Sequence, residues 1–347
     1  MEFCDAGVDT PPLGLGLAAL GRPGYINLGH DADLPAKTVE DMRRQAFDVL
    51  DEAWAAGVRY FDAARSYGKS EEFLAEWLEA RGVTREEVVV GSKWGYTYTA
   101  GWRVDNGADP HEVKEHSIGN LDKQWPQSEA LLAPHLRLYQ IHSATQASGV
   151  LANAEVIDGL ARLKATRGVK IGLTLSGTEQ ADTLRMALDV RVAGPGSARL
   201  FDSVQATWNV MEQSAGRALV EARDAGLEVI VKEALANGRL TRRNGGAGAA
   251  ATLAKLSDLA ARYGGVEDAP DVDAAALAVV MAQPFRPMVL SGAATPEQLA
   301  SNARALQLAA RLEAGGEEAR RMVEEVLEAG VVEPETYWAE RAALAWN

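Results

Sequence analysis

Four side chains suited to proton transfer stand at or just beyond the ends of short apolar runs. Asp62 closes VRYFD, Tyr67 follows it within the same loop, Lys93 ends VVVGSK and His142 ends LRLYQIH. A carbonyl that gains a hydride develops negative charge on oxygen, so it needs a proton donor and an electropositive pocket. Tyrosine has an ordinary pKa of about 10 and can donate at neutral pH. A lysine ammonium beside it is expected to lower that pKa and ease transfer. An aspartate next to the lysine would keep the ammonium charged and oriented, and a histidine can hold the carbonyl oxygen from one ring nitrogen. Singly, each residue has an ordinary role: Asp62 in a turn, Tyr67 in packing, Lys93 in a solvated loop, His142 as a structural histidine. Their joint occurrence at three successive strand ends is what points to chemistry.

Such ends need a scaffold that gathers them. Apolar runs alternate with amphipathic stretches along the chain. LGLGLAAL (Leu13 to Leu20) reads as a first strand, and VEDMRRQAFDVLDEAWAAG as a helix stopped by Gly57. SEEFLAEWLEARG reads as a helix with Ser70 as its N-cap and acidic residues in its first turn. Further pairs follow, ending in PMVLSGA and a single long helix in PEQLASNARALQLAARL. Eight strand-then-helix units predict a (β/α)8 TIM barrel, a parallel eight-stranded barrel in one domain over 1–347. The competing doubly wound sheet normally carries a Gly-rich fingerprint that opens a helix after its first strand, and here no helix opens after LGLGLAALG. NGGAGAAA (Asn244 to Ala251) reads as a loop after the seventh strand, and ETYWAERAALAW as a tail that packs back over the barrel.

Composition narrows the function classes. The 347 residues carry a formal net charge of -14. No basic patch or stripe of the kind nucleic acid needs is visible, and acidity argues against anionic membranes. No apolar run approaches the roughly 18 residues of a membrane span, and no secretory leader is apparent. Cys4 is the single cysteine, so a disulfide within the chain is impossible. These observations predict a cytoplasmic address. His30, His111, His116, His135 and His142 form no His-x-His pair at a strand end, so a metal-dependent barrel hydrolase is disfavoured and no metal is expected.

FDAARSYGKSE, GSKWG and LYQIH together resemble the aldo-keto reductase superfamily, and the likeness continues in IGLTLSG, VQATWN and LSGAATPEQLASN. The resemblance implies an NAD(P)(H)-dependent oxidoreductase that reduces a small aldehyde, ketone or sugar carbonyl, or runs the reverse. It implies Tyr67 as general acid/base, Asp62 and Lys93 as its tuning pair, and His142 as the orienting group. A nonenzymatic, cofactor-sensing regulatory subunit on the same barrel is the alternative, since such relatives can retain the same four residues.

The resemblance also implies a dinucleotide lying across the barrel mouth. Gln205 and a polar group near Thr174 or Ser176 match the carboxamide-binding positions, although Thr174 and Leu175 replace the common Ser-Asn. Lys232 stands where an aromatic residue commonly stacks on the nicotinamide. It is read as an approach to pyrophosphate or to a substrate carboxylate, or as a solvent-facing lysine. After the eighth strand, Gly292 and Ala293 open a helix whose N–H groups, from Ala293 to Glu297, can meet a phosphate. Gln298 and Asn302 share one helix face and match adenosine-contacting positions. Trp94, Trp102 and Trp208 are expected as aromatic walls of the substrate pocket. The 2′-phosphate clamp looks weak here: the loop holds Ala293 and Ala294, and Arg304 lies about two turns into the helix. NADP(H) is therefore expected, with weak discrimination against NAD(H).

Overall fold

Parallel pairing of the apolar runs produces the scaffold. The computed structural model describes residue 3 and residues 6–192, 198–264 and 271–347; Cys4 lies outside them. The strands are β1 (Leu13–Gly16), β2 (Tyr60–Asp62), β3 (Val89–Trp94), β4 (Tyr96–Tyr98), β5 (Glu112–Lys114), β6 (Leu136–Ala144), β7 (Lys170–Leu175), β8 (Ser203–Thr207), β9 (Glu228–Lys232) and β10 (Met288–Ser291). Eight of them close into a parallel barrel in the order β1-β10-β9-β8-β7-β6-β3-β2, the (β/α)8 fold. Sequence reading left the stretch after Trp94 without strands. There β4 and β5 pair antiparallel, Tyr96 opposite Lys114, and tie back to the barrel through Glu115 N–H to Gly95 O at 2.8 Å.

Strand periodicity sorts the core into two layers. Phe3, Tyr60, Val89, Leu138, Ile230 and Met288 fill the barrel interior. Phe61, Val90, Ile141, Ile171 and Val231 face outward against helix residues such as Leu50, Trp77 and Leu277. The helix Val39–Ala55 shows why these segments fold: Thr38 Oγ1 caps it at Asp41 N, and Met42, Ala46, Val49, Leu50 and Ala53 form its buried face.

Three boundaries differ from the sequence reading. β1 stops at Gly16, because Leu17 begins a turn closed by Gly21 N–H to Leu17 O at 3.0 Å. A side chain at Gly21 would stand 2.1 Å from Tyr67 O, so glycine is what admits the Tyr67 loop against this turn. Lys69, not Ser70, is the N-cap of Ser70–Arg81. Ser70 Oγ instead donates to Ala64 O at 3.2 Å, cinching the same loop. The final long helix breaks into Pro296–Ala303 and Ala305–Ala314. The tail does return over the barrel mouth: helix Pro334–Ala342 leads to Asn347, which exchanges two backbone hydrogen bonds with Tyr25 at 3.1 Å each. Among the described residues no helix is long and apolar enough to cross a membrane.

Candidate active site

Asp62, Tyr67, Lys93 and His142 converge at one side of the barrel mouth. The loop after β2 is strapped to β3 by Ala63 N–H to Gly91 O at 2.9 Å and Arg65 N–H to Lys93 O at 3.0 Å, which fixes Tyr67 beside Lys93. Lys93 Nζ is wholly buried. It pairs with Asp62 Oδ2 and donates to Ala63 O at 2.9 Å, and it lies 4.6 Å from the centroid of the Tyr67 ring. Tyr67 OH is 3.4 Å from His142 Nε2, and Ser66 Oγ is 3.4 Å from His142 Nδ1. His142 packs against Tyr96, centroids 4.9 Å apart, so the β4–β5 hairpin walls the site.

Electrostatics corrects one expectation. Burial, and then the Asp62 carboxylate, push the Tyr67 hydroxyl well above the ordinary tyrosine value. The Arg22 guanidinium acts in the lowering direction but does not outweigh them. Burial lowers Lys93 itself, with Asp62 opposing. Burial together with Lys93, Lys232 and Arg22 holds His142 well below the usual histidine range, so its ring is neutral and able to donate from one nitrogen.

Asp62, Tyr67 and His142 open into a cleft of about 490 Å³. Of the cofactor set read from the sequence, Ser176, Gln205, Lys232, Gly292, Ala293, Gln298 and Asn302 line it. Thr174 does not; its hydroxyl accepts the Ser143 N–H at 2.7 Å and supports the backbone next to His142. Lys232 is no solvent-facing lysine: its side chain is 17% exposed and Nζ donates to Thr207 Oγ1 at 2.7 Å. The N–H groups expected to meet a phosphate are also partly spoken for. Ala293 N–H reaches Ser291 Oγ at 3.2 Å, and Ala294 N–H reaches Gln298 Oε1 at 2.9 Å.

The tryptophans are not walls of the cleft. Trp94 is buried against His116, Trp208 against Phe285, and Trp102 donates to Lys37 O at 2.8 Å while packing on Phe73. Their places are taken by Tyr25, Arg22 and Trp346. The Arg22 guanidinium lies over the Tyr25, Tyr67 and Trp346 rings at 5.2, 5.2 and 4.8 Å and donates to Glu112 Oε2 at 2.9 Å. Trp346 also stacks on His111 at 3.9 Å.

Sequence reading also missed the charges at the far end. Arg243 forms a two-pronged bridge to Asp33, and Arg242 pairs with Asp271; all four line the cleft. Glu233, beside Lys232, is gripped through both oxygens by Arg341 at 2.9 Å. Burial alone would raise the Glu233 carboxyl, but Arg341 and Lys232 bring it down to about 2. No periodicity marks such pairs, which join residues far apart in the chain: 29 positions for Arg242 and Asp271, 108 for Glu233 and Arg341, 210 for Asp33 and Arg243.

The cleft fits an extended dinucleotide on one structural ground. Asn302 Oδ1 and Asn237 Oδ1 are buried polar atoms without a partner, and both residues line it. Buried acceptors of this kind ask for a ligand donor. Among the described residues no group of three or more His, Cys, Asp or Glu side chains is placed to hold a metal ion.

A closed parallel eight-stranded barrel with Asp62, Tyr67, Lys93 and His142 gathered at its mouth defines the (β/α)8 barrel class. The chain belongs to the Aldo/keto reductase family, whose model matches residues 12–314. An aldo-keto reductase of Strobilurus tenacellus is 33% identical over 109 residues, which are 31% of this chain and 27% of that protein. The oxidoreductase YrpG of Bacillus subtilis is 26% identical over 312 residues, 82% of this chain and 86% of its own. Among solved structures, the glycerol dehydrogenase of Gluconobacter oxydans shares 20% identity at a TM-score of 0.67, covering 94% of this chain and 95% of that one. An aldo-keto reductase of Klebsiella pneumoniae in complex with NADPH shares 18% identity at a TM-score of 0.60, with 92% of each chain covered.

Proposed function

We propose that the protein is an NAD(P)(H)-dependent oxidoreductase that reduces a small aldehyde, ketone or sugar carbonyl to an alcohol, or runs the reverse, with Tyr67 as general acid/base. The observation that carries this reading is the meeting of Tyr67, Lys93, Asp62 and His142 at one end of the cleft that Gln298 and Asn302 line. The NADPH-bound aldo-keto reductase of Klebsiella pneumoniae supports the choice of cofactor.

When bound, the nicotinamide supplies the hydride. Gln205 and Ser176 would hold its carboxamide, Gly292 and Ala293 its phosphate region, and Gln298 and Asn302 its adenosine. Neutral His142 donates to the substrate carbonyl oxygen and orients it beside Tyr67 OH. Tyr67 gives its proton to the oxygen as negative charge develops there, and the Lys93 ammonium beside the ring stabilises the resulting phenolate. In the reverse direction Tyr67 takes the alcohol proton. Arg242 and Arg243 line the same cleft as Gln298 and Asn302, but Asp271 and Asp33 already engage them. Discrimination between NADP(H) and NAD(H) is therefore weak in this reading.

The test is a matrix of NADPH and NADH against aldehydes, ketones and sugars, followed at the absorbance of the reduced nicotinamide. Tyr67→Phe is expected to lose at least roughly 10²-fold in rate while still binding dinucleotide. Parental rates in that variant would remove Tyr67 from the mechanism.

A further inference from the structure

The Asp62–Lys93 pair rests on a deeper polar layer. Asp62 Oδ2 accepts from Lys93 Nζ, and its Oδ1 accepts from three donors: the Tyr60 hydroxyl at 2.9 Å, Gln140 Nε2 at 3.1 Å and Gln205 Nε2 at 3.3 Å. Asp62, Gln140 and Gln205 come from β2, β6 and β8, alternate strands of the barrel, and so share one interior layer. Tyr60 is two residues before Asp62 on β2 and points into the same interior one layer below.

The barrel makes room for this ring. A side chain at Gly14 on β1 would come within 2.8 Å of Tyr60 Cδ1, and one at Gly91 on β3 within 2.6 Å of its hydroxyl. Phe3 closes the slot edge-on, centroids 4.8 Å apart. Phenylalanine would fill the slot equally well, so packing does not call for the hydroxyl. Its hydrogen bond to Asp62 does.

We propose that Tyr60 is a positioning residue of the proton-transfer site, its hydroxyl fixing the Asp62 carboxylate and moderating the negative field that Asp62 sets on Lys93 and Tyr67. The inference rests on the reading of Tyr67 as the acid/base. The positive end of the phenol O–H dipole lies on Oδ1. Without it the carboxylate charge is less compensated, the Tyr67 phenolate is opposed more strongly, and Tyr67 exchanges its proton less readily.

Tyr60→Phe is expected to slow alcohol oxidation about five- to tenfold below the alkaline inflection and to move that inflection up by roughly 0.5 to 1 pH unit. Gln140→Leu, which removes a second donor from the same oxygen, should move it the same way and carries the test if Tyr60→Phe folds poorly. On an Asp62→Asn background Tyr60→Phe should cause no further loss, because both changes act through one carboxylate. Equal losses on both backgrounds, or an unmoved inflection in both donor variants, would overturn the proposal and leave Tyr60 as packing. A Tyr67→Phe protein with parental activity would instead overturn the underlying reading, so the two failures are distinguishable.

Discussion

Lys93 and Lys232 stand at the ends of two strands of the same barrel, both largely withdrawn from water, and the barrel treats them differently. Lys93 touches its counter-charge: Asp62 pairs with it directly and is itself held by three donors. Lys232 has Thr207 as its near neighbour, and the carboxylate of Glu233 is 3.9 Å away and committed to Arg341. Burial, with help from Arg341 and Lys93, lowers Lys232 to about 8 in spite of Glu233. A lysine with a dedicated, saturated partner is a fixed charge. One whose partner is engaged elsewhere is a titratable cation open to an incoming anion.

Replacing Lys93 by Met should expose this contrast most sharply. It leaves Asp62 buried without its cation, a change of about 3–5 kcal/mol in unfolding free energy, and turnover should fall by roughly 10²-fold or more. Denaturant unfolding and steady-state rates check both. A variant as stable as the parent would mean that Asp62 is satisfied by its neutral donors.

Arg341→Leu comes next, with an expected loss of roughly 3 kcal/mol, because Glu233 stays buried and loses its tight partner. The pH dependence is specific. Glu233 is held below its ordinary value of 4.5, at about 2. The stability it contributes is fully present above about 4.5 and disappears as pH falls towards 2. Unfolding measured across that window should show the slope in the parent and not in the variant.

Lys232→Met should have the smallest effect on stability, within about 1 kcal/mol, and a distinct signature in binding. If Lys232 meets an anionic part of the dinucleotide, parental affinity is full below pH 8 and falls a few-fold as the pH rises through about 8. The variant should bind weakly and evenly across that range. A parental titration flat from pH 6 to 9 would turn Lys232 towards the substrate instead.

The corner proposed as catalytic was legible because each residue sits at or just beyond the end of a short apolar run, and a parallel barrel brings such ends to one face. Asp62, Lys93 and His142 could be placed by counting strands. Lys232 and Gln298 were legible as positions but not as environments: nothing local shows that Thr207 would meet Lys232 or that Gln298 would cap Ala294. The tryptophans misled because aromatic character alone does not tell the outer face of a strand from the cleft. Trp94 follows Lys93 directly and therefore points to the opposite side.

The sequence by itself determined the strand-and-helix alternation, the residue types at the strand ends and the absence of an intrachain disulfide, since these follow from local periodicity and composition. Tertiary structure alone decided which charges meet. Arg22 reaches Glu112, Arg243 reaches Asp33, and Arg341 folds back from the last helix onto Glu233. It also decided the direction of the Tyr67 shift. Burial and the proximity of Asp62 outweigh the opposing Arg22 guanidinium there, and both are set by distances across the barrel that no stretch of chain encodes on its own.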